Sequence, residues 1–146
     1  MATEAALIAV VDDDVDFLAI AQSVLESGGY RIVSATNPEK GLDMIKRESP
    51  DLVVTDLMMS RLDSGFALVR GIRELPALAD IPIIMVTASG SQRGFDFVPR
   101  TPEDLKAMQV DAFFSKPITP KEFLVKVRSL LTERKSREAA PGGDGA

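Results

Sequence analysis

Four short segments of this chain end in side chains that could do chemistry together. Asp12-Asp13 follow the apolar run Leu7-Ile8-Ala9-Val10-Val11, and Asp56 follows Leu52-Val53-Val54-Thr55. Thr87 follows Ile83-Ile84-Met85-Val86, and Lys116-Pro117 follow Ala112-Phe113-Phe114-Ser115. A parallel sheet gathers the carboxyl ends of its strands, and ligands bind in the crevice there. Three carboxylates, a hydroxyl and an ammonium would then share one pocket. That is the inventory needed to hold a magnesium ion and accept a phosphoryl group.

Each feature also has a plainer explanation. Adjacent carboxylates at a strand end repel one another and lose hydration when partly buried, and a divalent cation relieves both costs. Magnesium prefers oxygen ligands and keeps several waters beside one or two carboxylates. Alternatively Asp12-Asp13-Asp14 caps the following helix, whose dipole suits acidic residues. Thr87 alone is an ordinary β-branched strand residue. Lys116 alone is a solvated charge, a reading weakened by its place at the end of an apolar strand. Of Phe113 and Phe114, one should face the core, since neighbouring strand residues point to opposite faces.

The elements that must position these residues alternate as strand and helix, the pattern of a parallel sheet covered on both faces. Leu7–Val11 is apolar throughout, as a buried central strand is. Phe17, Ile20, Ala21, Val24 and Leu25 form the stripe of an amphipathic helix, ended by Gly28-Gly29. Tyr30 to Ala35 is a second strand. Asn37-Pro38 opens a helix to about Glu48, as a cap with proline at the first helical position does. Ser49-Pro50 breaks it before a third strand, Asp51 to Thr55. Phe66, Leu68, Val69, Ile72 and Leu75 mark a third helix, Pro82 to Val86 a fourth strand and Asp111 to Ser115 a fifth. Thr119-Pro120-Lys121-Glu122 is a capping box, opening a helix with Phe123, Leu124, Val127, Leu130 and Leu131 on one face.

Ala88 to Arg100 has no clear period, although a parallel connection needs a crossover here. Thr101-Pro102-Glu103-Asp104 starts helically, so the crossover helix is predicted to be short and late. The expected organisation is one domain over residues 1–135, with 136–146 a flexible tail or truncated linker.

A length of 146 residues with 45% hydrophobic content is enough for one real core. No apolar run is long enough to span a bilayer, and Met1 to Ala6 lacks the pattern of a signal peptide. The absence of cysteine excludes disulfides and thiolate chemistry and fits a cytoplasmic location. The absence of histidine removes the commonest zinc ligand, the commonest general base and any phosphohistidine relay on this chain. A net charge of -5 suits neither the phosphate backbone of nucleic acid nor direct binding to it.

Taken in order, Val10-Val11-Asp12-Asp13-Asp14, Asp56-Leu57-Met58-Met59, Met85-Val86-Thr87-Ala88 and Lys116-Pro117-Ile118 resemble the response-regulator receiver domains of two-component signalling. The resemblance covers roughly residues 6 to 133. It implies a doubly wound, flavodoxin-like α/β fold: a five-stranded parallel sheet in the order 2-1-3-4-5, with helices on both faces. It makes Asp56 the nucleophile that becomes an aspartyl phosphate. It makes Asp13 the main magnesium carboxylate, with Asp12 acting through water and the Met58 carbonyl completing the protein ligands. Lys116 and Thr87 would contact phosphoryl oxygens, and Thr87 and Phe113 would form the switch. The implied cofactor is Mg2+. The implied partners are a histidine kinase or phosphotransfer protein, an unidentified downstream protein, and a second copy through the face of the fourth helix, fifth strand and fifth helix. The chain would catalyse only its own phosphorylation and dephosphorylation.

Two departures from the family pattern stand out. Met59 is followed by Ser60 where proline is usual, and Asp63-Ser64-Gly65 carries one extra residue before the glycine. Thr87 to Lys116 is longer than the family norm. Within it Arg93, Phe95 and Phe97 are either exposed contacts or a satellite core. Met58 and Ser89, two residues after Asp56 and Thr87, are placed to tune hydrolysis. A competing reading is a receiver-like interaction module that works without phosphate, against which an intact Asp56, Thr87 and Lys116 argue. A second is a phosphohydrolase of the haloacid-dehalogenase type. It would need a threonine or valine where Asp16 stands and an acidic pair after the lysine, and neither is present.

Overall fold

In the computed structural model, residues 5–57, 64–87, 103, 106 and 109–139 are described. The five apolar runs form one parallel sheet in the order β2-β1-β3-β4-β5. Its strands are β1 (Leu7–Val11), β2 (Arg31–Ala35), β3 (Leu52–Asp56), β4 (Ile83–Thr87) and β5 (Ala112–Ser115). The three inner strands are buried along their whole length, which is why they are apolar without alternation. The edge strand β2 exposes Arg31 and Ser34. Predicted strand positions hold to within a residue. The shift matters at β3 and β4, because Asp56 pairs with Val86 and Thr87 with Ser115. Both functional candidates are therefore final strand residues held in the sheet register.

Helices cover both faces. On one lie α1 (Val15–Ser27) and α4 (Pro120–Ala139), the fifth helix expected from the sequence. Their Phe17, Ala21, Leu25, Phe123 and Val127 pack on Ile8, Val10, Val54 and Ile84. On the other lie α2 (Pro38–Glu48) and α3 (Ser64–Arg73), with Met44, Ile45, Leu68, Val69 and Ile72 packed on Ala9, Val11, Val53 and Met85. The strand period of two sends alternate residues to these two cores. A single 3-10 turn, Pro76–Leu78, leads into β4. Between β4 and β5, Glu103 and Lys106 have helical backbone, in keeping with a late crossover helix. Arg93, Phe95 and Phe97 lie outside the described residues. Helix α4 runs on to Ala139, past the predicted tail start at Ser136. Arg137, Glu138 and Ala139 are good helix formers, and the first strong breaker is Pro141. Among the described residues, no helix is long and apolar enough to cross a membrane.

The amino end of the sheet is tied by polar side chains. Arg73, at the end of α3, donates from Nη1 to the carbonyls of Ala79 (2.9 Å) and Ile81 (2.7 Å). It donates from Nε and Nη2 to the Gln109 carbonyl (3.1 and 2.8 Å), and Nη2 lies 3.4 Å from Asp111 Oδ2. One guanidinium thus joins α3 to the entries of β4 and β5. Burial lowers its pKa, while Asp111 and Asp80 raise it. On the β1 side, Asp51 Oδ2 accepts from the Leu7 amide at 2.8 Å. Arg73→Met keeps the stem but leaves three carbonyls without their donor. It should cost about 2 kcal/mol in urea unfolding with an unchanged slope. A loss below about 0.5 kcal/mol, the level of an ordinary surface change, would show that the clamp is incidental.

Candidate functional site

At the carboxyl end of the sheet, strand alternation brings two acids to one place. Asp56 is in phase with Val54, and Asp12, just past β1, is in phase with Val10. Both valines belong to the core under α1 and α4. Asp12 and Asp56 are fully buried, whereas Asp13 is exposed. One carboxylate oxygen from each of Asp12, Asp13 and Asp56 lies within 4.8 Å of the others. Asp12 is fixed by its own surroundings, since its amide donates to the Ala35 carbonyl (3.1 Å) and its Oδ1 accepts from the Asp14 amide (2.9 Å). The cap and cluster explanations of the acidic run divide it between them. Asp14 is the N-cap of α1, its Oδ1 accepting from the amides of Asp16 and Phe17 at 3.0 and 3.2 Å. Asp12 and Asp13 join Asp56.

Lys116 reaches into this cluster from the loop after β5. Its Nζ lies 2.8 Å from Asp12 Oδ2, 3.5 Å from Asp56 Oδ2 and 3.9 Å from Asp14 Oδ2. It also stands 4.6 Å from the centroid of the Phe17 ring, over its face. Its backbone is anchored, the amide donating to the Thr87 carbonyl at 2.7 Å, and its peptide bond to Pro117 is cis. The lysine is thus a pocket residue and not a solvated edge charge.

The donor set fits a metal ion. Asp12, Asp13 and Asp56 bring three negative charges, and Lys116 supplies one positive charge. The remainder suits a divalent cation, and oxygen-only carboxylate donors suit a hard one. Such an ion would relieve the repulsion that burial intensifies between Asp12 and Asp56. The expected carbonyl ligand, Met58, lies outside the described residues.

The other candidates lie on β4 and β5. Thr87 ends β4 and is 5% exposed. Phe113 sits opposite Met85 in the sheet and packs, half-buried, on the core under α2 and α3. Phe114 packs on the other core, edge-to-face with Phe123 at 5.4 Å and 74°. Both rings thus contribute to cores, one on each face, where only one was expected to.

Sequence reasoning missed Gly65 as a positioning residue. Its amide donates to the Leu57 carbonyl at 2.7 Å. A Cβ there would overlap the Asp56 carbonyl oxygen and come within 2.6 Å of Leu57 Cα and 2.7 Å of Leu57 O. The start of α3 thus rests directly on the backbone that carries Asp56. The sequence signal was the Asp63-Ser64-Gly65 departure from the family pattern, which marks the glycine but not its packing contact.

The chain has known relatives in sequence and in fold. The family model described as the response regulator receiver domain matches residues 8–128. The "Probable transcriptional regulator ycf27" of Cyanophora paradoxa is 40% identical over 125 residues, which cover 85% of this chain and 47% of that protein. The "Alkaline phosphatase synthesis transcriptional regulatory protein PhoP" of Bacillus subtilis (strain 168) is 32% identical over 137 residues, covering 94% of this chain and 52% of that protein. The chain therefore spans about half the length of the curated relatives it matches. Among solved structures, the receiver domain protein of Methanospirillum hungatei JF-1 superposes with a TM-score of 0.74 at 25% identity, covering 91% of this chain and 98% of that one.

Gly65→Ala should lower stability by about 2 kcal/mol in thermal unfolding, because the collision is with backbone that cannot step aside. Wild-type stability in that variant would mean the contact yields easily. Asp13→Asn removes one of three clustered charges and should stabilise the metal-free protein by about 1 kcal/mol. It should also abolish the rise in melting temperature that millimolar magnesium gives the wild type by mass action. A wild-type midpoint indifferent to magnesium would count against a metal site.

Proposed function

The chain belongs to the response-regulator receiver domain family, and we propose that it is a phosphoacceptor switch in a two-component phosphorelay. The supporting observation is one buried carboxylate, Asp56, within 4.8 Å of two further acids and 3.5 Å from the Lys116 ammonium. In this reading Asp56 takes the phosphoryl group from a phosphohistidine of a histidine kinase or phosphotransfer protein. A carboxylate oxygen forms the new bond to phosphorus as the bond from phosphorus to the imidazole nitrogen breaks. No general base is required, because an ionised carboxylate has no proton to lose.

Asp12, Asp13 and Asp56, with the Met58 carbonyl, are the residues that would hold Mg2+. When bound, it supplies charge neutralisation for the phosphoryl oxygens. Lys116 would contribute a further positive charge. Charge stabilisation and positioning are the main sources of catalysis in phosphoryl transfer. The chain would modify itself and no other substrate, and would lose the group by hydrolysis.

The product adds roughly two negative charges in a pocket already acidic. Lys116 and Thr87 are joined through the bond from the Lys116 amide to the Thr87 carbonyl. A phosphoryl group that draws either one therefore moves both strand ends. Phe113, on the same face of the sheet as Thr87, would carry the shift towards the face expected to be built from the fourth helix, fifth strand and fifth helix. There a downstream protein, or a second copy of this chain, would distinguish the two states. The setting we assign is the cytoplasm, with no direct contact to nucleic acid or membrane.

Intact mass after incubation with acetyl phosphate tests the reading. The wild type should gain one phosphoryl group only when magnesium is present, and Asp56→Asn should gain none. A folded wild-type protein that gains nothing, from acetyl phosphate or from a kinase, would favour an interaction module that works without phosphate.

A further inference from the structure

Lysine is a flexible four-carbon stem ending in a point charge, and hydrogen bonds alone hold it loosely. In this pocket the ammonium has carboxylates on three sides, those of Asp12, Asp14 and Asp56. Those carboxylates alone leave the ammonium, already at hydrogen-bond distance from Asp12, free to swing about that contact and away from Asp56. The Phe17 ring face lies against the ammonium as well, its centroid 4.6 Å from Nζ. Phe17 is 4% exposed and packs in the core shared by α1, α4 and the sheet. Its backbone is pinned as well, its amide donating to the N-cap Asp14. The ring is therefore a rigid, attractive surface with no acceptor atom to trap the charge.

We infer that Phe17 is a positioning residue for Lys116: its ring holds the ammonium between Asp12 and Asp56, where it can reach a group arriving on Asp56. This deepens the phosphoacceptor reading and rests on it for its catalytic consequence. The attraction comes from the negative face of the aromatic ring, so it depends on ring electronics and not on volume alone. A residue that merely filled the core would be indifferent to that electronic character.

The test uses the full chain with phenylalanine at position 17 replaced by mono-, di- and trifluorinated analogues, which weaken the ring face with little change in size. Leucine and tyrosine are substituted in parallel, and melting temperature monitors the fold. The rate of phosphorylation by acetyl phosphate with magnesium should fall stepwise along the fluorinated series. It should fall about three- to tenfold in Phe17→Leu and recover in Phe17→Tyr. In a Lys116→Met background the fluorinated series should have no effect. A second readout does not require phosphorylation. In protein carrying 13C-labelled lysine, the ε protons of Lys116 should resonate upfield of the other lysines, shielded by the ring, and Phe17→Leu should remove the displacement.

Equal rates across the fluorinated series, or the same losses without Lys116, would overturn the inference. So would an undisplaced Lys116 signal in the wild type. If the wild type takes no phosphoryl group at all, the functional reading fails by itself. The lysine spectrum then decides alone whether the ring holds the ammonium.

Discussion

Concentrated negative charge at the carboxyl end of the sheet is the condition the rest of this structure must satisfy. Asp12 and Asp56 are fully buried, and each has an oxygen within 4.8 Å of the other's and of Asp13's. Unscreened carboxylates that close repel strongly, and burial removes the water that would soften the repulsion. Among the described residues the nearby counter-charge is Lys116, 2.8 Å from one buried acid and 3.5 Å from the other. Such an arrangement persists only if the backbone cannot relax away from it. Both acids sit at or beside the ends of inner strands buried along their whole length, between two helix-covered cores. Apolar burial is what keeps the acids together, and their repulsion is what makes the pocket receptive to a cation.

The two ends of the sheet divide the work. At the amino end, polar contacts are saturated: Arg73 spans α3, β4 and β5, and Asp51 accepts from the first residue of β1. At the carboxyl end, three carboxylates gather close together, with the Lys116 ammonium against the two buried ones. Polar contacts tie one end of the sheet, and like charges concentrate at the other. Gly65 belongs to the same logic. By letting α3 rest on the Asp56 and Leu57 backbone, it makes the position of Asp56 a property of the packed fold.

Much of this was legible in the residues. Runs such as Leu52–Val54 have no alternation, so they had to be inner strands, and the acids, threonine and lysine that follow such runs had to meet. Asn37-Pro38 and Gly28-Gly29 carry their own local physics and marked helix ends correctly. What escaped was whatever depends on contact across the fold. Arg73 reads as an ordinary basic residue at a helix end, and its clamp is visible only once the starts of β4 and β5 are beside it. Phe17 belongs to an apolar helical stripe and does pack in the core. Nothing in the stripe says that its other face meets an ammonium brought from about a hundred residues away. Gly65 reads as a loop residue until the backbone beneath it is known. Helix α4 continues through Ser136 to Ala139, because helix persistence follows propensity and the distance to the next breaker.

Lys116 is the point at which these threads converge. Its side chain balances the buried acids, its amide hangs from the Thr87 carbonyl, and its ammonium rests over Phe17. A new negative group on Asp56 would compete with Asp12 for one ammonium. The outcome is set by small differences, because the competing acids lie within about an ångström of the same distance. Any pull on Lys116 is transmitted along its own backbone to the end of β4, and so to the segment that follows Thr87. A charge placed on one strand end can therefore be felt at two others without deforming the sheet. The physical requirement is a packed frame with, among the described residues, one ammonium shared between its buried acids.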